Sequence, residues 1–361
     1  MARASGVDRG DRTGGTVLEA SGDTYEVCQL ESIDDVHPER WNRVVEGAPC
    51  GTVFHRHEWL GAVEDGLEHT PAHLLVEKDG NPVGVLPNFV LSLPKTPFNR
   101  LSSIYPGFGG PLASTDTESV LESMFDAVPE LCGGRLLVHE IRAGTPEYVR
   151  YGTFLRSRGY EPARMGGRFL LSLDGGLEAV RDGMSQSRRR TIERARADVD
   201  HEVREEGLTQ TALERFYDHY VSVMDRVGGT VYPFSFFEAF RAMESRVLLL
   251  ALYVDGEYAG GFLELLDEDQ SAVHGFFAAV PAEYFDVHAT ELLYDAVIRW
   301  GIRNGYHTYD FGGSVSDFRD GTFRFKESFG GRLVPNLYWE RGAGRSWPLV
   351  RRMRSLYWKY K

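Results

Sequence analysis

The sequence predicts an α/β fold of the mixed (α+β) kind, made of two similar halves. Two segments, LLVEKDGNPVGVLPN (74–88) and LALYVDGEYAGGFLE (250–264), align without gaps, and each is typical of a strand, a tight Asp-Gly turn and a second strand. Each is preceded by helical sequence and followed by a helix and a further strand. The chain has 361 residues, more than the roughly 250–300 at which single cores stop growing. Two domains with mixed sheets flanked by helices are therefore expected.

The first domain is predicted over residues 23–165. Residues 1–22 are polar and lack the apolar stretch of a signal peptide, so they are expected to form a disordered lead-in. The remaining elements of this half are, in order, two helices before the hairpin, one helix after it and a strand: HPERWNRVVEG (37–47), HRHEWLGAVEDG (55–66), STDTESVLESMFDAVPEL (114–131) and GRLLVHEIR (134–142).

The second domain is predicted over residues 166–342, and turn residues near 158–173 mark the boundary. Its elements repeat the order of the first half, with two helices, the hairpin, one helix and a strand. The segments other than the hairpin are TQTALERFYDHYVSVMDRV (209–227), PFSFFEAFRAMES (233–245), DVHATELLYDAVIRWGIRNGY (286–306) and HTYDFGG (307–313). The apolar residues of 286–306 are spaced to bury one helix face against a sheet.

The charge composition limits the possible partners. The net charge is −13 with a pI near 5.4, which opposes extensive binding to phosphate backbones. Only five of the 40 basic residues are lysines, and an acidic, arginine-rich composition indicates a halophilic source. No run of about 18 apolar residues occurs, so no membrane span is expected. The three cysteines, odd in number and not closely paired, predict neither a disulfide framework nor a zinc site. A cytoplasmic protein is expected.

Four segments of the second half resemble, in sequence and in order, the GNAT acyltransferases and particularly the Fem-type (FemA/FemB/FemX-like) aminoacyltransferases with their acetyltransferase-like relatives. These segments are MSQSRRRTIERARADV (184–199), MDRVGGTVYPFSFFEAF (224–240), LLYDAVIRWGIRNGYHTYDFGGS (292–314) and GTFRFKESFGG (321–331). The first half is similar mainly through VFHRHEWLGAV (53–63) and RLSSIYPGFGGPL (100–112). The resemblance implies two tandem GNAT-like domains and an enzyme that transfers an acyl group to an amine.

The candidate catalytic residues are Lys326 and Asp310. The resemblance implies that Lys326, in the Phe-Lys pair, lies beside the donor carbonyl or its phosphate, where an ammonium would stabilise the oxyanion. A lysine where the chain otherwise uses arginine indicates a need for a compact cation with an adjustable pKa. Asp310 is expected at the carboxyl end of a strand. It could orient the acceptor amine or accept its proton, or it could cap the Gly312-Gly313 turn.

An arginine-rich helix supplies most of the candidate substrate-binding residues. The segment SQSRRRTIERARAD would hold the diphosphate of an activated sugar, lipid carrier, CoA or tRNA end. The alternative is a solvated helix face with Glu193 and Asp198 as partners. Phenylalanines of 321–331 are expected mainly in the core, and Asp317 and Glu291 are further carboxylate candidates. The predicted substrate-binding set is Arg188, Arg189, Arg190, Arg194, Phe325, Tyr309 and Tyr232.

The acyl donor remains open between aminoacyl-tRNA and acetyl-CoA, either of which would be a cosubstrate. No tightly bound cofactor and no metal are expected. Acetyl-CoA-dependent GNATs usually hold the pyrophosphate with a glycine-rich turn before a helix. Here that position has VPAEYFDVHATELL (280–293), which lacks such glycines. A tRNA donor presents a different difficulty, because contacts with its phosphates weaken as the salt concentration rises.

The last segment, 343–361, predicts a basic amphipathic helix. It contains no acidic residue, and Leu349, Met353, Leu356 and Tyr360 fall along one helical face. Such a helix suits peripheral contact of residues 345–361 with an anionic membrane, near a lipid-linked acceptor. The alternative is a terminal helix that packs on its own domain.

Together these patterns predict an N-acyltransferase that moves an acyl or aminoacyl group to an amine on a cell-envelope or glycan precursor. One alternative is an acetyl-CoA-dependent N-acetyltransferase acting on an amino sugar. Another is a catalytically silent tandem-GNAT module that binds a ligand. Direct attack by the acceptor is favoured over a covalent intermediate, because no Ser-His-Asp or Cys-His arrangement is evident.

Overall fold

The computed structural model describes residues 14–18, 25–67, 69–93, 96–131, 134–344, 347 and 351. Most of the predicted lead-in and nearly all of the predicted basic amphipathic helix lie outside these residues. The part of the lead-in that is described differs from the prediction, because Thr16–Leu18 form a strand paired with Val27–Gln29. The Thr-Val-Leu run has β propensity, so it can extend an antiparallel ladder at the edge of a sheet.

The chain divides into two compact units. Unit 1 comprises residues 1–64, 69–163 and 338–361, and unit 2 comprises 65–68 and 164–337. The predicted domain ranges 23–165 and 166–342 remain a prediction. At 158–173, where turn residues predict a boundary, Glu161–Ser172 form one strand.

Unit 1 contains an antiparallel sheet and a smaller group of strands. Its elements are β1 (Thr16–Leu18), β2 (Tyr25–Leu30), α1 (Pro38–Gly47), α2 (His57–Gly66), β3 (Thr70–Pro71), β4 (His73–Lys78), β5 (Asn81–Leu86), β6 (Phe89–Ser92), β7 (Asn99–Ser102), β8 (Leu112–Ala113), α3 (Thr117–Ala127), β9 (Leu136–Ala143) and α4 (Gly152–Ser157). The antiparallel sheet has the order β1-β2-β4-β5-β8, and α1 and α3 pack on it. In the second group, β3, β6, β7 and β9 are neighbours, with β7 and β9 parallel.

Unit 2 is built on a mixed sheet with the order β11-β12-β13-β14-β15-β10. The elements after α4 are β10 (Glu161–Ser172), α5 (Gly176–Gly183), α6 (Gln186–Asp198), β11 (His201–Glu206), α7 (Gln210–Val227), α8 (Phe234–Ala239), β12 (Val247–Val254), β13 (Glu257–Asp267), β14 (Ala272–Ala279), α9 (Ala289–Arg303), β15 (Thr308–Ser314), α10 (Gly321–Glu327) and β16 (Arg332–Gly342). The pair β14 and β15 is parallel, and the other neighbours in this order are antiparallel.

Both predicted hairpins are confirmed, as β4–β5 and β12–β13. Their turn residues Asp79, Gly80, Asp255 and Gly256 all have positive φ, as a two-residue hairpin turn requires. The order of helices and strands in the two halves is also as predicted, which confirms the α/β fold class with mixed sheets and flanking helices.

The core of unit 2 lies between its sheet and the helices around α9. Helix α9 packs on β12, β13 and β15, and α5 and α6 pack against α9. Its residues Leu292, Leu293, Val297 and Ile298 are buried, on the face that their spacing predicts. Helix α7 packs on β13 and β14. Among the described residues, no helix has the length and hydropathy needed to span a membrane.

Candidate active site

The candidate site of unit 2 begins where β14 and β15 separate. Their parallel pairing includes Val273 with Tyr309 and ends at His274 with Asp310. Beyond that point β14 continues beside β13, and β15 continues beside β10. The two strands therefore diverge at their carboxyl ends, and a cleft opens there. Ligands of open α/β sheets bind outside the carboxyl ends of strands at such a break in the order.

A β-bulge shapes the wall of the cleft that β14 provides. In the ladder with β13, Glu264 faces Gly275 and Leu263 faces Phe277, so Phe276 is the extra residue. In a regular strand two consecutive side chains point to opposite faces, but a bulge changes the direction of one of them. Phe276 and Phe277 consequently both line the cleft.

The cleft has a volume of about 820 Å³ and is mainly apolar. Its other walls come from α7 and the segment after it, from the first turns of α9 and from α10. The aromatic lining residues are Tyr220, Tyr232, Phe276, Phe277, Phe285, Tyr294 and Phe325. The charged ones among the described residues are Arg226, Glu291 and Lys326.

Lys326 reaches the cleft from α10. This helix begins after Asp320, whose side chain accepts a hydrogen bond from the Phe323 amide at 3.0 Å. The Nζ atom of Lys326 donates to the carbonyl oxygens of Gly313 at 2.7 Å and Gly312 at 3.3 Å, and the residue is only 8% exposed. Burial lowers the pKa of Lys326 to about 8, against the raising effect of Asp310. The ammonium is therefore held in place, mostly protonated at neutral pH and close to its titration range.

Asp310 is buried and bound on both carboxylate oxygens. Its Oδ2 accepts from Arg168 at 2.7 Å and from Nδ1 of His274 at 3.0 Å, and its Oδ1 accepts from the Gly312 amide at 2.9 Å. Burial would raise the pKa of Asp310, but Arg168, His274 and the Gly312 amide together lower it to about 2. The expected Gly312-Gly313 turn is not present, because both glycines lie within β15 and Gly313 pairs with Arg168 of β10. Asp310 instead binds the Gly312 amide where the register between β15 and β10 shifts. This arrangement favours a positioning role at Gly312 over proton acceptance.

The predicted arginine helix is α6, capped by Ser185, which accepts from the Arg188 amide. Arg188 stacks on the rings of Phe325 and Phe329, its guanidinium carbon lying 4.2 and 4.9 Å from their centroids. It donates to Ser328 Oγ at 2.9 Å and forms an ion pair with Glu291. Arg188 therefore supports two lining residues of the cleft, Phe325 and Glu291.

The structure brings only part of the predicted substrate-binding set together. Phe325 and Tyr232 line the cleft with Lys326, and Arg188 lies directly behind it. Tyr309 is buried in the core and donates to Glu264 Oε1 at 3.1 Å. The remaining residues, Arg189, Arg190 and Arg194, are half-buried or exposed on α6 and do not line the cleft. The expectation of core phenylalanines holds for Phe323 and Phe329, whereas Phe325 faces the cleft.

Several site residues were not predicted from the sequence. Phe276 and Phe277 line the cleft only because of the bulge. His274 is bound between Asp310 and Asp267, whose Oδ2 lies 3.2 Å from Nε2. Burial opposes the protonated ring, but the two carboxylates raise the pKa of His274 to about 9. Burial also raises the pKa of Glu264 to about 8, although the Tyr309 hydrogen bond lowers it. The signal in the sequence that could have indicated these residues is the segment His274-Gly275-Phe276-Phe277, in which a histidine and a glycine precede two phenylalanines.

No metal site is evident, because the described residues contain no group of three or more His, Cys, Asp and Glu side chains able to hold an ion. The cysteines Cys28 and Cys50 are buried in unit 1, and burial raises the pKa of each thiol to about 11. Cys132 lies outside the described residues.

Comparison with known families identifies part of this unit. Residues 186–327 match the family described as "Acetyltransferase (GNAT) domain". This range contains α6 to α10 and therefore every charged residue of the cleft. No curated protein sequence matches the chain.

Solved structures with similar folds cover nearly the whole chain. "Crystal structure of FemX" superposes with a TM-score of 0.71 at 14% identity, over 88% of this chain and 98% of that one. A tandem GNAT protein from the clavulanic acid biosynthesis pathway gives 0.56 at 12%, over 89% and 99%. The C-terminal domain of a putative lysylphosphatidylglycerol synthetase from Agrobacterium fabrum gives 0.56 at 12%, over 84% and 91%. At these identities the similarity establishes the tandem GNAT-like fold.

Proposed function

We propose that the chain is a GNAT-type acyltransferase that transfers an acyl or aminoacyl group from an activated donor to an amine in the cleft of unit 2. The observation that carries this proposal is the placement of Lys326. A buried ammonium, held by the Gly312 and Gly313 carbonyls, lines a cleft at the point where β14 and β15 separate.

The reaction that fits this site is direct aminolysis. The lone pair of the acceptor amine forms a C–N bond to the donor carbonyl carbon, and the carbonyl oxygen becomes anionic. Lys326 stabilises that oxyanion. The C–O or C–S bond to the leaving group then breaks, and the departing hydroxyl or thiol receives the proton that the amine loses. The described cleft lining contains no His, so the Ser-His and Cys-His pairs that form acyl-enzyme intermediates are not present there.

Lys326, Phe325, Tyr232 and Arg188 are the proposed site residues, with Asp310 as a positioning residue. Asp310 binds the Gly312 amide, and the Gly312 and Gly313 carbonyls bind Lys326. Asp310 thus acts on the reaction through Gly312 and Gly313 rather than by accepting a proton. Arg189, Arg190 and Arg194 remain candidates for contacts with the charged part of a substrate.

An aminoacyl donor is proposed over acetyl-CoA because of the start of α9. The helix begins after His288, and Glu291 occupies its first turn. A carboxylate there offsets the positive end of the helix dipole and repels a pyrophosphate. One of the similar folds is the C-terminal domain of a putative lysylphosphatidylglycerol synthetase, whose name includes the lysyl group, and this supports an aminoacyl donor.

The second candidate is an acetyl-CoA-dependent N-acetyltransferase acting on an amino sugar. The description of the matching family, an acetyltransferase domain, favours it.

For the aminoacyl transferase, which we prefer, the proposed acceptor is an amine on a cell-envelope or glycan precursor. Peripheral membrane contact through residues 345–361 would place the enzyme near a lipid-linked acceptor.

Ligand-induced stabilisation tests the proposal. The purified protein in high KCl is incubated with aminoacyl-tRNA, with acetyl-CoA or with neither, and its melting temperature and consumption of the donor in the presence of amines are followed. A donor that binds the folded state raises the melting temperature. We expect a rise and acyl transfer with aminoacyl-tRNA. In Lys326→Met we expect the rise to remain and the transfer to be slower by about 10²–10³, because Lys326 acts on the oxyanion. A rise without transfer to any amine would favour the silent binding module.

A further inference from the structure

The size and lining of the cleft restrict the group that can occupy it. A volume of about 820 Å³ lies in the range of roughly 300–1,000 Å³ that buries a drug-sized ligand. An acetyl group by itself would fill only a small part of this volume. Phe276 and Phe277 from β14 face the same cleft as Tyr220 and Tyr232. Such a wall favours a bulky apolar substituent, whose burial is worth about 1.5–3 kcal/mol.

Glu291 gives the same cleft a site for a cation. Its Oε1 binds Arg188 and lies 3.9 Å from Nδ1 of His288. Its Oε2 makes no hydrogen bond or ion pair within the described part of the chain. The carboxylate is only 14% exposed, so a ligand that left this oxygen desolvated and unpaired would lose binding energy. A ligand ammonium would satisfy it.

Arg226 is an exposed cation in the lining of the cleft. Its guanidinium carbon lies 5.1 Å from the centroid of Phe285, which also lines the cleft. Within the described residues Arg226 has no acidic partner at ion-pair distance. A cation in this position suits the phosphate of a nucleotide end whose acyl group enters the cleft.

We propose that the cleft binds an aminoacyl group with a bulky apolar side chain, of the phenylalanyl or leucyl type. Its ammonium donates to Oε2 of Glu291, its side chain lies against Phe276 and Phe277, and its carbonyl faces Lys326. This inference rests on the proposed function and specifies the acyl donor. The aminoacyl group belongs to the donor ester that the reaction consumes. Arg226 contacts the phosphate of the nucleotide to which the aminoacyl group is attached.

Stable donor analogues test the inference. The probes are 3′-amino-3′-deoxyadenosine acylated through an amide with phenylalanine, leucine, glycine or N-acetylphenylalanine, and the Kd of each is measured by calorimetry. The phenylalanyl and leucyl analogues should bind at least about tenfold more tightly than the glycyl analogue, the scale expected for burying a large apolar group. N-acetylation removes the ammonium and should therefore raise the Kd about tenfold.

Matched variants assign each effect to a residue. Glu291→Gln should weaken the phenylalanyl and glycyl analogues about tenfold and leave the N-acetylated one unchanged. Ala278→Trp, at an exposed lining position of β14, should weaken the phenylalanyl analogue and spare the glycyl one. Glu283→Gln and Ala282→Trp make the same chemical changes at exposed positions outside the lining and should leave every Kd unchanged. Melting temperatures establish that each variant is folded.

Several results would overturn the inference. These are equal affinity for the phenylalanyl and glycyl analogues, or a Glu291→Gln effect that is the same with the N-acetylated probe. If phenylalaninamide bound as tightly as the phenylalanyl adenosine conjugate, the phenylalanyl group would belong to the acceptor and not to the donor. This result would also contradict the inference. If acetyl-CoA or octanoyl-CoA bound and no adenosine conjugate did, the inference would be overturned, but the proposal of acyl transfer would remain. A folded protein that transfers no acyl group from any donor would instead refute the proposed function.

Discussion

Lys326 is one of five lysines among 40 basic residues, and its surroundings explain why an arginine would not serve. Its ammonium fits between the carbonyl oxygens of Gly312 and Gly313, which lie 3.3 and 2.7 Å away. A planar guanidinium is larger and spreads its charge over a fork of donors, so it does not match this site. The compact ammonium leaves one donor direction for a substrate oxygen, since two of its three N–H groups bind these carbonyls.

The pH dependence of turnover should report the titration of Lys326. Because the pKa of Lys326 is about 8 and its protonated form is the one that would stabilise the oxyanion in the proposed reaction, kcat at saturating substrate should fall about tenfold per pH unit well above pH 8. Residual turnover of Lys326→Arg should not show this fall. A wild-type kcat that stays constant to pH 10 would contradict the assignment.

Asp310→Asn separates the positioning role from proton acceptance. Asp310 raises the pKa of Lys326, so its neutralisation should move the alkaline limb of kcat to lower pH. A residue that served only to stabilise the fold would lower the melting temperature and leave that limb in place. Loss of an acidic limb instead would indicate that Asp310 accepts the proton.

At the scale of elements, the site depends on how β15 ends. Gly312 has φ = +72°, a conformation that non-glycine residues adopt at a cost of roughly 1–2 kcal/mol. A Cβ atom at Gly312 would lie 2.9 Å from the Gly275 carbonyl oxygen. The end of β15 and the bulge of β14 therefore approach each other closely, and Gly312 positions the carbonyls that hold Lys326.

Gly312→Ala should reduce both stability and turnover. The strain and the contact with Gly275 should lower the free energy of unfolding by at least about 1 kcal/mol, and displacement of the Gly312 and Gly313 carbonyls should lower kcat. Gly313→Ala is a matched control, because a Cβ there meets no atom within 4 Å. Denaturant unfolding and steady-state kinetics measure the two effects. Equal behaviour of the two variants would refute the role of Gly312.

Elements specified by local signals could be predicted from the sequence. The Asp-Gly turns and the apolar face of α9 depend on neighbouring residues, and both are present as predicted. The bulge at Phe276 could not be predicted, because it depends on the register of β14 against β13. The ion pair between Arg168 and Asp310 joins residues 142 positions apart, so no local pattern indicates it.

At the scale of the molecule, buried charges of unit 2 link its stability to pH. The pKa values of His274 and Glu264, about 9 and 8, both exceed the usual values of 6.5 and 4.5. A raised folded-state pKa stabilises the fold at low pH, and this stabilisation is lost as pH rises towards the folded value. Between pH 6.5 and 8, therefore, both groups make the fold less stable as pH increases.

Denaturant unfolding across this window should show the free energy of unfolding falling by about 2 kcal/mol for each of the two groups. His274→Asn should remove part of the slope, and Glu264→Gln should remove the rest. Lys326 does not interfere, because its lowered pKa of about 8 makes its contribution change only above this window. Stability that increases from pH 6.5 to 8 would contradict the account of the buried cluster.

The overall charge leads to a prediction about salt. A net charge of −13 destabilises the compact chain by self-repulsion, which salt screens. Raising KCl from about 0.1 to about 1 M shortens the Debye length from about 10 to about 3 Å, so the melting temperature should rise. A melting temperature that falls with KCl would count against the proposed halophilic adaptation.

The most direct test of the central claim is the kcat of Lys326→Met, measured with the donor that the wild-type protein consumes. Methionine keeps the length of the side chain and removes its charge. Loss of an oxyanion-stabilising donor typically lowers kcat by about 10²–10³. We expect that decrease, a similar impairment in Lys326→Arg and unchanged turnover in Lys78→Met, which alters a lysine of unit 1. Near-normal turnover in Lys326→Met would contradict the account.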